Sequence, residues 1–267
     1  MAILTISRTY QSGGHEIGKA VAGKTGYDFI DKNRILSEMK NLGRKWGHTF
    51  EEVDEVSPTL WEKNDWHYRG YIALIECIIF DYALKDRVVL LGRGANFILK
   101  DIPHVLRVRL YAPLEVRIER AVIKNETARQ TAESLVKKTD HDRAGYIRSI
   151  YKADWEDPRH YDLVINTAES SIPQTCDRLV TALNEWEGRA TAKGRKKLAD
   201  LALTARVKAR VLIHPEIFLP TLDIFHDGTA IVFKGVVHSP KEHRLVEDLV
   251  RNTAGDHPLS NQLRYRT

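Results

Sequence analysis

Arg8, the run Ser12-Gly13-Gly14-His15, Asp31, Arg93, Arg143 and Arg148 are the residues of this chain whose types and spacing best suit an oxyanion ligand. Glycines let successive backbone N–H groups close on an anion. A helix N-terminus adds unsatisfied donors and partial positive charge, and a guanidinium grips two oxygens at once. The spacing from Arg8 to His15 follows the common phosphate-loop pattern G-x-x-x-x-G-K-S/T but departs from it in type: Arg8 takes the first glycine position, Gly14 replaces the lysine and His15 replaces the Ser/Thr that would ligate magnesium. The backbone cradle is kept while its cation is missing. Arg8 is the nearest replacement, with Glu16 and Asp31 as alternative ion-pair partners for it. Taken alone, Gly13-Gly14 is equally an ordinary tight corner between a strand and a helix.

The elements that must position these residues alternate between strand and helix. Short Val/Ile/Leu-rich runs at Ile3–Ile6, Tyr27–Ile30, Val88–Leu91, Val105–Tyr111 and Leu163–Ile165 predict buried parallel strands, with helical periodicity between them and hence an α/β sheet. In such a sheet the ligand lies beyond the carboxyl ends of the strands. Those ends carry Ser7 and Arg8, then Asp31, then Gly92-Arg93-Gly94, and finally Asn166-Thr167. Ile17, Ala20 and Val21 form one face of the first helix, which Gly26 is placed to stop. Arg117, Arg120, Arg143, Arg148 and Lys152 follow the fourth strand, where arginines on a lid would surround a moving phosphoryl group; exposed helix arginines also serve solubility alone. Pro58 to Leu84, with Trp61, Trp66 and Tyr71, is expected to cover the sheet or form a helical flap, its aromatics in the core.

At 267 residues and 43% hydrophobic the chain suits one large domain and a small one. Residues 189–267 hold 14 Lys/Arg against 8 Asp/Glu, so the net +5 sits in the tail. We expect domains at 1–188 and 198–267 joined by a basic linker at 189–197, more a solvated connector than a nucleic-acid site. Cys77 and Cys176 lack metal-ligand spacing and suit reduced thiols. The longest apolar stretch, Tyr71–Leu84, is short and holds Glu76 and Asp81, so a cytoplasmic protein is predicted.

The segments Ile3–Arg8, Ser12–Gly18, Phe29–Lys32, Leu91–Ala95, Asp154–Pro158 and Tyr161–Thr167 together resemble the cytidylate kinase-like family over roughly residues 1 to 187. The resemblance implies a P-loop kinase-type, five-stranded parallel sheet flanked by helices, with ATP and Mg²⁺ at the first loop and an acceptor nucleotide across the crevice. On that basis Ser12, Gly13, Gly14 and His15 bind nucleotide phosphates, and Asp31 and Arg93 bind the acceptor. Arg8, Arg143 and Arg148 are the catalytic cations. Gly92-Arg93-Gly94 resembles the Gly-Arg-Asp of cytidylate kinases, with Gly94 where the family has Asp.

The tail reads helix, strand, strand, helix, strand, a small α+β module. Asp227-Gly228 is a hairpin signal, and Ser239-Pro240-Lys241-Glu242 supplies a cap, a first-turn proline and a capping-box Glu. Val207 to Gly228, Val236 to His243 and Leu263 to Arg266 resemble the BON domain, which implies an anionic membrane, another hydrophobic ligand or a protein partner, with dimerisation open. Two functions follow: an ATP-dependent phosphotransferase acting on a nucleoside monophosphate, CMP-like or a related small phosphate acceptor, or a catalytically weak nucleotide sensor coupled to the tail.

Overall fold

The computed structural model describes residues 1–41, 55–59, 61–62 and 65–266. The chain divides into two compact units, Met1–Pro58 with Lys85–Arg195, and Thr59–Leu84 with Lys196–Thr267.

The first unit is built on a five-stranded sheet of order β2-β3-β1-β4-β5. Its strands are β1 (Ile3–Arg8), β2 (Asp28–Ile30), β3 (Val88–Leu91), β4 (Val105–Tyr111) and β5 (Leu163–Asn166), and every pairing is parallel. All five lie on the apolar runs read from the sequence, since a parallel strand buried on both faces needs continuous Val/Ile/Leu. Helices α1 (Gly14–Thr25) and α2 (Lys32–Asn41) follow β1 and β2. Leu4, Ile6, Val89, Leu91, Leu106, Val108 and Leu110 form one sheet face, packed with Ile17 and Val21 of α1. Gly26, at φ 67°, ends α1 with its N–H on the carbonyl of Ala22.

Helix α3 (Trp66–Ala83) belongs to the second unit, and α4 (Ala95–Ile98) follows β3 in the first. The first unit continues with α5 (Leu114–Asn125), α6 (Arg129–Tyr151) and α7 (Ile172–Trp186), the last opened by a Ser171–Gln174 capping box. Trp66 and Tyr71 of α3 are buried as expected, but Trp61 is 86% exposed. It precedes the helix start, which is fixed by the Asp65 side chain accepting from the Tyr68 N–H, so it misses the buried face.

The basic stretch expected as a linker is instead largely helix. A 3-10 turn covers Glu187–Arg189, and α8 runs Ala192–Leu212. Its Ala, Lys, Arg and Leu are strong helix formers, and Leu198, Ala202, Ala205 and Ala209 bury one stripe. The second unit adds β6 (Asp223–His226), β7 (Ile231–Val237), α9 (Pro240–Ala254) and β8 (Leu259–Tyr265). Strands β6 and β7 are antiparallel while β7 and β8 are parallel, α9 making the crossover. Asp227 shapes the hairpin by accepting from the Thr229 and Ala230 N–H groups, bonds that hold its carboxyl down at about 2. Ser239 caps α9 through the Glu242 N–H, while the Glu242 carboxylate accepts from the His238 N–H.

Candidate functional site

Two adjoining cavities open beyond the carboxyl ends of β1 and β3. The loop cavity, about 250 Å³, is lined by the run from Thr9 to Gly14 and by His15, Asp31, Lys32 and Arg143. The other, about 300 Å³, is lined by Glu55, Arg93, Lys138, Thr139 and Asp142. Arg8, Lys32, Leu91 and Arg143 line both. Three cations distant in sequence, Arg8, Lys32 and Arg143, therefore stand where a group could pass between two ligands.

Arg8 crosses the loop at the position left by the missing lysine. A Cβ placed on Gly14 would meet the Cβ and Cγ of Arg8 at 2.8 Å, so the stem of the Arg8 side chain leaves room only for glycine at that position. The Arg8 guanidinium donates to both carboxylate oxygens of Glu55, at 3.0 and 2.8 Å. Arg143 donates from Nε to Glu55 Oε2 at 3.1 Å and from Nη1 to the Arg8 carbonyl at 3.2 Å. The Arg93 N–H donates to Glu55 Oε1 at 2.7 Å. One carboxylate thus occupies the centre of three arginines. Burial lowers the Arg8 pKa to about 10 against the pull of Glu55. Burial also pushes the Glu55 carboxyl up, but Arg8, Arg143 and Arg93 outweigh it and hold it well below the usual carboxylate range.

Arg93 is only 2% exposed, and at φ 56° it lies between Gly92 and Gly94, which are also left-handed. A non-glycine residue held in that region stores strain, here secured by the bond from its N–H to Glu55. A Cβ on Gly94 would collide with the Tyr151 ring, whose hydroxyl donates to the Arg93 carbonyl at 3.4 Å. Tyr151 stacks on Phe97, ring centroids 5.5 Å apart. An aromatic pair therefore fills the space that a side chain at the family's Asp position would enter.

The other predicted residues fall as follows. The Ser12 hydroxyl donates to the Thr9 carbonyl at 2.8 Å and its N–H bonds the same oxygen, so Ser12 shapes the loop instead of offering a free donor. Asp31 lines the loop cavity and not its neighbour; it accepts from the Arg34 N–H, with His15 Nδ1 3.7 Å away. Arg148 is exposed and lines neither cavity. Of the remaining helix arginines, Arg117 donates to the Ala112 and Tyr10 carbonyls and pairs with Asp140, whose other oxygen accepts from the Tyr10 N–H at 2.7 Å. Arg120 donates to the Gln11 carbonyl and to Thr167. These two arginines brace the glycine loop from outside and are not lid cations. Ser7 is likewise withdrawn, its hydroxyl accepting from Trp155 Nε1 at 2.8 Å while Arg109 lies over the Trp155 ring. Glu16 pairs with Lys124 at 2.9 Å; despite partial burial its carboxyl is held down, and it does not pair with Arg8.

Sequence reasoning missed Glu55. Its only signal was an acidic run, Glu51-Glu52-Val53-Asp54-Glu55, in a polar stretch without periodicity.

A third cavity of about 340 Å³ adjoins the glycine loop on the side of Ile17, Ile123, Thr167 and Ile172. Ile123 and Ile172 are 79% and 43% exposed, which leaves apolar surface open beside the loop.

A profile of the cytidylate kinase-like family matches residues 3–169. The chain belongs to this family. Cytidylate kinase of Methanosarcina barkeri is 28% identical over 105 residues, 39% of this chain and 58% of that protein. Cytidylate kinase of Saccharolobus islandicus is 21% identical over 183 residues, 68% of this chain and 90% of that protein. A crystal structure of an uncharacterized protein from Eubacterium ventriosum superposes with a TM-score of 0.56 at 19% identity, covering 69% of this chain and 99% of that one, which speaks to the fold. Family membership supports a nucleotide kinase; at these identities it does not carry the acceptor's base. Among the described residues, no helix is long and apolar enough to cross a membrane.

Proposed function

We propose that the first unit is an ATP-dependent phosphotransferase whose acceptor carries a phosphate, a nucleoside monophosphate or a close relative. The observation that carries this is the placement of Arg8 and Arg143 on the shared wall of two cavities, one rimmed by the glycine loop and one by Arg93. Phosphoryl transfer asks the protein mainly for positioning and positive charge around the moving group. The nucleotide's phosphates would lie on the backbone from Gly13 to His15, and its base against Ile17, Ile123 and Ile172. Arg93 and Arg143 would hold the acceptor phosphate in the place Glu55 takes here, since carboxylate and phosphate present the same sign of charge and the same fork to guanidinium, phosphate with the larger charge. Arg8 would take the role of the loop lysine. Asp31, the carboxylate on the loop cavity not engaged by a lysine, would hold Mg²⁺; His15 offers nitrogen, a poor ligand for a hard ion. When bound, Mg²⁺ neutralises charge on the terminal phosphates.

The Tyr151–Phe97 pair beside Gly94 favours an acceptor read differently from CMP. ADP formation should therefore be measured across a panel of nucleoside monophosphates and small sugar phosphates with ATP and Mg²⁺. Turnover with one of them, and its loss in Arg93→Ala with ATP affinity kept, is the expected result. Saturable ATP binding without turnover of any acceptor would instead favour the sensor reading. The membrane reading of the BON-like tail draws on the basic surplus of residues 189–267. It requires the full chain to sediment with anionic vesicles at low salt and to be released by added salt.

A further inference from the structure

The second unit brings together three side chains whose chemistry the kinase reading leaves unused. Asp200 lies in the third turn of α8, His226 ends β6 and His257 precedes β8, and one ligand atom from each lies within 4.8 Å of the others. The Nε2 atoms of His226 and His257 face each other at 3.1 Å. Asp200 Oδ2 accepts from Lys196 Nζ at 2.8 Å, and the carboxylate is 17% exposed. All three residues are half-buried.

We propose that Asp200, His226 and His257 form a binding site for a borderline divalent ion, zinc above all, which ties α8 to the ends of β6 and β8. Two imidazoles and a carboxylate are a donor set suited to Zn²⁺, whereas Mg²⁺ and Ca²⁺ demand oxygen. Zinc–nitrogen bonds of about 2.0–2.1 Å in a tetrahedron place neighbouring nitrogens about 3.3 Å apart. The His–His separation is already close to that edge, and Asp200 needs to approach by no more than a side-chain adjustment. The His257 backbone is anchored by its N–H on the Ala254 carbonyl, and the following Pro258 carbonyl accepts from the Ile231 N–H, so that ligand is carried on a braced turn. Three protein ligands leave one position for water or a partner's donor.

Proton placement gives the site a definite cost. The Gly228 N–H donates to His226 Nδ1 at 3.0 Å, so a neutral His226 carries its proton on Nε2 and donates it to His257. Metal binding needs both Nε2 lone pairs. The His226 proton must therefore move to Nδ1, which gives up the bond from Gly228. Gly228 is exposed, and water can take that N–H. Lys196 donates to Asp200 Oδ2 and so orients the carboxylate, the role outer-shell partners play at metal sites.

The test uses the full chain, stripped with chelator and titrated with Zn²⁺ by calorimetry and with Co²⁺ by visible absorption, in excess Mg²⁺. One ion per chain, a raised melting temperature and a tetrahedral Co²⁺ spectrum are expected. Removing even an outer-shell partner costs about 10–100-fold in affinity at such sites, so His226→Ala and His257→Ala should each cost at least about tenfold. Asp200→Asn, which preserves shape, should do the same and carries the test if an alanine variant loses cooperative unfolding. Absence of saturable Zn²⁺ binding to the wild type overturns the proposal. So does unchanged stoichiometry and affinity in His226→Ala/His257→Ala, which would assign the ion to other histidines.

Discussion

Glu55→Gln tests the centre of the site, because it removes a charge while keeping the shape. In the wild type the Glu55 carboxylate accepts two bonds from Arg8, one from Arg143 and one from the Arg93 N–H. Glutamine keeps one acceptor oxygen and turns an amide donor toward guanidinium, leaving three arginines around a neutral group. Breaking a buried pair from one side costs about 3–5 kcal/mol. With the Glu55 side chain 10% exposed there is little water to soften that cost, and we take about 3 kcal/mol. For a chain of this size that is a fall in melting temperature of about 6–12 °C. The same change removes the internal charge that competes for the anion position, so a phosphate-bearing acceptor should bind Glu55→Gln at least tenfold tighter, about 1.4 kcal/mol, and recover part of the lost stability.

The pH dependence has a fixed sign. The folded pKa of Glu55 is depressed, so its contribution to stability is fully present above the unfolded value near pH 4.3 and is lost as pH falls through the folded one. Glu55→Gln should flatten that part of the acid limb. Calorimetric melting from pH 3 to 7 together with titration of monophosphates reads all three effects. Unchanged stability with unchanged anion affinity would refute the three-arginine account.

Arg8→Ala should lower kcat about a hundredfold or more in the ADP-formation assay, with Arg8→Lys restoring part of it. It should also lower the melting temperature by stranding Glu55, and Arg8→Ala/Glu55→Gln should regain stability without regaining turnover. Gly94→Asp, which installs the family residue, should destabilise through its φ of 70° and the Tyr151 ring, and adding Tyr151→Ala should relieve the steric part, as melting of the single and double variants would report. The fragment 198–267 should show no cooperative unfolding in a thermal scan. It lacks α3, where Asp81 pairs with Arg206, Glu76 with Lys208, and Trp66 meets Phe218 with ring centroids 5.8 Å apart. A cooperative transition in that fragment would show α3 to be dispensable.

Local pattern sufficed wherever the physics is local. The five parallel strands were legible because burial on both faces leaves unbroken apolar runs, and the tail's hairpin and cap because Asp227-Gly228 and Ser239–Glu242 satisfy backbone groups within a few residues. The glycine loop and Arg93 at the strand ends were legible for the same reason, since turn chemistry is written in the turn. What needed the tertiary structure were the partners. Arg8 has Glu16 and Asp31 near it in sequence, yet it pairs with Glu55, because packing decides which carboxylate reaches a buried guanidinium. Arg117 and Arg143 are alike on a helical repeat, but one braces the loop and the other enters the site. Asp200, His226 and His257 carry no spacing signal at all. Only the folding of α8 against the small sheet sets their donor atoms side by side, because side chains distant in sequence meet through packing.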